Sequence, residues 1–137
     1  MSIEIKGLDE VLQRLAETAT PEQIERALGK ACALVERSAK QKAPKDTGEL
    51  RRSISSKVEN GVGEVFTPLE YAPYVEFGTG LFAEEGGRSD VPWRYQDDSG
   101  EWHTTSGQKP QPFMRPALDE NREAIKQIFR EVITEDD

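Results

Sequence analysis

Ser53-Ile54-Ser55-Ser56-Lys57-Val58-Glu59-Asn60-Gly61-Val62-Gly63-Glu64-Val65-Phe66-Thr67 is the stretch that decides the fold. Asn60-Gly61 is a strong hairpin signal, because both central positions of a type I′ turn need positive φ. A two-residue turn there joins a strand over 53–59 to a return strand over 62–67. It also sets the register: Val58 faces Gly63, Lys57 faces Glu64 and Ser56 faces Val65. Ile54, Val58 and Val65 then share one face, and Lys57 and Glu64 pair on the other, so turn chemistry and hydrophobic pattern agree.

Upstream, Thr20-Pro21-Glu22-Gln23 starts a helix. Thr20 caps, Pro21 suits the first helical position and Gln23 completes a capping box. Ile24, Ala27, Leu28, Ala31, Leu34, Val35 and Ser38 follow on one side. The run reaches Lys42, where Ala43-Pro44 stops it, a rod of roughly 30 Å. Ahead of it, Ile3-Glu4-Ile5-Lys6 alternates as a short strand ended by Gly7, and Leu8, Val11, Leu12 and Leu15 recur at helical spacing. Between rod and hairpin, Asp46-Thr47-Gly48-Glu49 reads as a second capping box opening one turn over Leu50 to Arg52.

Downstream, Tyr71, Tyr74 and Phe77 lie three apart. One helical turn puts them on one side, where they read as core whose rim can seat a partner. From Leu81 to Gln111 the composition shifts to Gly, Asp, Ser, Pro and Gln. A connection this long reads as a flexible arm or insertion within a single domain of residues 1–137. It holds its own candidate hairpin, Trp93 to Gln96 and Glu101 to Thr104 around Asp97-Asp98-Ser99-Gly100. That turn sets Tyr95 opposite Trp102, with Trp93 on the same face and His103 on the other. A lone ribbon is marginal in water, so its aromatic face wants another surface. Pro116 opens the last helix, which runs to Thr134 with Leu118, Ile125, Ile128, Phe129 and Val132 as its apolar stripe. The expected class is α+β, with the long helix and the C-terminal helix packed on an antiparallel sheet.

Composition bounds the function. The chain has 137 residues, 35% apolar and 32% charged, with a net charge of −8. That balance argues against non-specific nucleic-acid binding, which needs a basic face to release phosphate counterions. No apolar run is long enough to span a membrane, and the start of the chain carries no secretory signal. One cysteine, Cys32, and one histidine, His103, leave no disulfide framework and no His/Cys zinc site.

Few residues suggest chemistry. Asp46-Thr47-Gly48 is the aspartic-protease triplet, and a homodimer could supply the second carboxylate. It follows Ala43-Pro44-Lys45 at a helix end instead of an apolar strand, so a turn is the better reading. Cys32, beside the apolar face of the long helix, reads as a buried structural thiol. His103 with Asp97, Asp98 and Glu101 reads as an exposed loop. No catalytic, cofactor or metal site is expected.

Three stretches in this order resemble the phage gene-product-ten family of neck and tail-completion proteins of long non-contractile-tailed phages and prophages. They are Ala43-Pro44-Lys45-Asp46-Thr47-Gly48-Glu49-Leu50-Arg51-Arg52-Ser53-Ile54, then Tyr71-Ala72-Pro73-Tyr74-Val75-Glu76-Phe77-Gly78-Thr79, then Pro112-Phe113-Met114-Arg115-Pro116-Ala117-Leu118. The resemblance implies a virion structural protein at the head–tail joint, not an enzyme. It would assemble as a homo-oligomeric ring, after a stay in the host cytoplasm, beside head-completion, tail-terminator or tail-tube proteins. DNA would pass through without specific binding, and no membrane is involved. Trp93, Tyr95, Trp102 and Arg115 are the candidate assembly contacts. Arg115 is expected to pair with an acidic group, Glu76 being a candidate on charge. The alternatives are a dimeric aspartic peptidase using Asp46 and a small acidic cytoplasmic adaptor for a basic partner.

Overall fold

The computed structural model describes residues 1–5, 14, 17–45, 48–79, 84, 92–96 and 99–135. Its first sheet has three antiparallel strands in the order β1-β3-β2: β1 Ser2–Ile5, β2 Ser55–Glu59 and β3 Val62–Phe66. The hairpin register is the expected one, with Val58 opposite Gly63, Lys57 opposite Glu64 and Ser56 opposite Val65. Asn60 and Gly61 both take positive φ, 52° and 75°, as the type I′ turn requires. β1 adds to the far side of β3, with Ile5 opposite Gly63. The Met1 ammonium donates to the Thr67 carbonyl at 3.1 Å and ties the start of the chain to the end of β3.

Helix α1, Pro21–Lys42, has the predicted capping box. Gln23 N–H donates to Thr20 Oγ1 at 3.1 Å, and Thr20 N–H donates to Gln23 Oε1 at 2.9 Å. α1 lies across the sheet with Ala27, Leu28, Ala31, Cys32, Val35 and Ala39 buried. Its small residues allow close approach. A Cβ at Gly63 would come within 2.5 Å of Cys32 Sγ, so β3 and α1 touch where glycine leaves room. The C-terminal helices, α4 Met114–Asp119 and α5 Arg122–Glu135, pack on α1, and α4 also reaches β1. The α+β class is therefore as expected.

Two local expectations need correction. The short helix α2, Glu49–Ser53, starts after Gly48, which is in a left-handed conformation and offers no side-chain cap, so the strand expected from Ser53 begins later, at Ser55. Ser53 is consequently helical, and its hydroxyl bonds the Leu50 carbonyl and Thr67 Oγ1 at 2.6 and 2.7 Å. The last helix is not continuous from Pro116. Asn121 Nδ2 donates to the Ala117 carbonyl at 2.7 Å, while the Asn121 N–H turns to Leu118 at 3.2 Å. Local side-chain bonding of this kind competes with the helical ladder and separates α4 from α5. Of the helix expected over 8–15, residue 14 is helical and the rest lies outside the described residues, as does the capping box expected from Asp46.

Candidate functional site

The site grows from an uncapped helix start. α4 begins after Phe113, which offers no side-chain acceptor. Its first amides therefore need partners from elsewhere. Helix α3, Ala72–Phe77, supplies one: Glu76, fully buried although charged. Glu76 Oε1 accepts from the Phe113 and Met114 amides at 3.1 and 2.8 Å. Glu76 Oε2 accepts from the Arg115 amide at 3.2 Å and from Arg115 Nε at 2.8 Å. One carboxylate thus caps a helix 37 residues away in sequence and pairs with its arginine.

Arg115 extends the clamp. Its Nη2 donates to the Glu76 carbonyl at 3.1 Å, and Nη1 and Nη2 fork onto the Glu84 carboxylate at 3.0 and 3.2 Å. The Glu84 and Glu76 carboxylates hold the guanidinium proton still more firmly than usual. The Arg115 guanidinium also lies 4.6 Å from the Phe77 ring centroid. The pairing of Arg115 with Glu76, proposed on charge alone, is therefore present, and it works as a fastening.

What it fastens is the base of the 81–111 segment. The Thr79 amide donates to the Gln108 carbonyl at 2.9 Å, and the Gln108 amide returns to Thr79 Oγ1 at 2.9 Å. The Gln111 amide bonds the Val75 carbonyl at 2.8 Å, and the Glu84 amide bonds the Phe77 carbonyl at 2.9 Å. Beyond this neck stands a two-stranded ribbon, β4 Trp93–Gln96 and β5 Trp102–Thr105, whose strands pack mainly on each other.

The aromatic residues are not where the sequence pattern put them. Tyr71, Tyr74 and Phe77 face outward, 38%, 62% and 36% exposed, while Ala72 and Glu76 face the core. Both faces of this short helix satisfy the same spacing, and the amides of α4 decide between them by requiring the carboxylate. In the ribbon, the loop is 97–101, one residue longer than the four-residue turn expected. Tyr95 therefore pairs with His103, and Trp102 pairs with Gln96. A one-residue slip reverses the faces, so Trp93 and His103 share one face and Trp102 lies on the other. Trp102 is 56% exposed, with the Arg94 guanidinium 5.1 Å from its ring centroid. The structure brings Arg115 to the neck and Trp93 and Trp102 to opposite faces of the ribbon.

Glu76 is the buried carboxylate at the centre of the clamp, and the sequence suggests it only as a charge partner for Arg115. Its signal was the absence of a capping side chain before Met114-Arg115-Pro116. Cys32 is buried as expected. Burial, and secondarily the nearby Glu36 carboxylate, push its thiol pKa up, so it is a poor nucleophile. Among the described residues, no helix is long and apolar enough to cross a membrane.

The first and second resemblance stretches also meet, since Glu49 of α2 is hydrogen-bonded to the Tyr71 side chain. Residues 6–78, just over half of the chain, match the HK97-gp10-like family, described as "Bacteriophage HK97-gp10, putative tail-component". No curated protein and no solved structure matches the chain. The match takes in the first stretch and the second up to Gly78, where the clamped neck begins, and on that span the chain belongs to the HK97-gp10-like family of phage proteins.

Proposed function

We propose that this protein is a neck or tail-completion component of a phage particle, set as a ring of identical subunits at the head–tail joint. It docks to neighbouring head-completion, tail-terminator or tail-tube proteins and carries out no bond chemistry. The observation that carries the reading is Trp102, 56% exposed on a ribbon whose strands pack mainly on each other and whose base is clamped. A marginal ribbon gains stability by covering its exposed Trp102 face on assembly. In this reading residues 1–137 form one domain with 81–111 as its docking arm. Trp93, Tyr95 and Trp102 are the assembly contacts, and Arg115 positions the arm.

Two physical arguments support a ring around DNA. A subunit with a net charge of −8 gives an anionic passage that repels phosphate, so the polymer does not stick. Repetition around a ring multiplies weak docking contacts into firm attachment. Replacing residues 81–111 by a short glycine linker tests the reading, since Thr79 and Gln108 lie within hydrogen-bond distance. The expected result is a folded core, with filled heads and tails that do not join. Normal infectious particles from that deletion contradict it.

A further inference from the structure

The chain exposes two aromatic side-chain groups, one with a guanidinium against its ring and one bordered by carboxylates. The ribbon presents Trp102 with the cation of Arg94 against its ring. Helix α3 presents Tyr74 and Tyr71, the latter hydrogen-bonded to Glu49 and flanked in sequence by Glu70, which is exposed. We infer that the Trp102–Arg94 face of one copy docks on the Tyr71–Tyr74 face of the next copy. This pairing rests on the ring reading above and deepens it by naming both sides of the subunit contact.

The occupant follows from charge and from connectivity. Two molecules of net charge −8 repel across most of their surfaces. A cation-bearing aromatic face meeting a carboxylate-bearing one is an approach that attraction favours. Both halves are on the same chain, so a second copy supplies what each copy lacks. The ribbon does not serve its own α3: its strands pack mainly on each other, and Trp102 and Tyr74 both remain more than half exposed. The neck bonds, Thr79 to Gln108 and Gln111 to Val75, fasten the ribbon's base to the end of α3. Because the two surfaces differ, the contact is heterologous, and heterologous contacts propagate into rings when the rotation closes. Large aromatics of this kind dominate the energetics of docking surfaces.

Sedimentation velocity of the full chain across a concentration series tests this, using Trp102→Ala and Tyr74→Ala. Both side chains are mostly exposed, so the fold is retained, which circular dichroism verifies. Each variant is expected to self-associate at least about tenfold more weakly than wild type. Mixing the two is expected to give a one-to-one heterodimer and nothing larger, since that pair keeps one intact ribbon face and one intact α3 face. Wild type and both variants assembling equally well overturns the pairing and leaves the ring reading standing. Monomeric variants whose mixture stays monomeric also overturn it. A wild-type chain that is monomeric up to about 1 mM overturns it too, and the ring reading is then decided by the arm deletion in particles.

Discussion

Replacing Glu76 by alanine removes one carboxylate and leaves four donors without an acceptor: the amides of Phe113, Met114 and Arg115, and Arg115 Nε. Glu76 is fully buried, so water does not readily take its place. Each stranded buried amide costs about 1–3 kcal/mol. The Arg115 side chain is 40% exposed and keeps Glu84, so its loss falls at the low end of that scale. The Phe113 and Met114 amides are the fully buried ones and together account for about 2–6 kcal/mol, which brackets the about 3–5 kcal/mol that breaking one side of a buried charge pair costs. For a domain stable by about 5–15 kcal/mol this is a large fraction. Urea unfolding gives the value from the midpoint at unchanged slope. Hydrogen exchange localises the effect, with faster exchange expected at Phe113 and Met114 than in α1. Glu76→Gln keeps one oxygen for two of the amides and turns an NH2 toward Arg115, so an intermediate loss of about 2 kcal/mol is expected. An alanine variant within about 1 kcal/mol of wild type, with unchanged exchange at Phe113 and Met114, refutes the clamp.

Other substitutions probe the scaffold. Gly63→Ala forces a methyl group to within 2.5 Å of Cys32 Sγ and is expected to cost about 1–3 kcal/mol. Adding Cys32→Ala should restore part of that stability, whereas simple addition of the two losses in urea unfolding would contradict the contact. Thr20→Ala removes the α1 cap and should cost about 1 kcal/mol by thermal or urea unfolding. Cys32 holds its proton more tightly when folded, because burial and then Glu36 raise its pKa above the ordinary 9.0. The unfolded chain therefore loses that proton first, so stability is intact below about pH 9 and falls as pH rises through the folded value. Cys32→Ala should flatten the slope of the urea midpoint over that alkaline range.

The parts legible in the sequence were those set by local physics. Thr20, Pro21 and Gln23 mark the start of α1, and Asn60-Gly61 dictates the β2–β3 register, because cap and turn geometry act within a few residues. The placement of β1 beside β3 was not legible, since a four-residue strand pairs wherever an edge is free. Periodicity gave α3 a shape without saying which side faces inward. The deciding group, the bare amide row of α4, lies 37 residues away. The ribbon register turned on a single loop residue with no Asn-Gly signal to set it. The break between α4 and α5 came from one asparagine bonding its own helix.

The proposed role puts the protein at the junction of head and tail in the assembled particle. Antibody labelling or cryo-electron microscopy of assembled virions tests this most directly. Label or ring density confined to the junction of head and tail is the predicted result. Its absence from the particle, or its distribution along the tail shaft, would contradict the account.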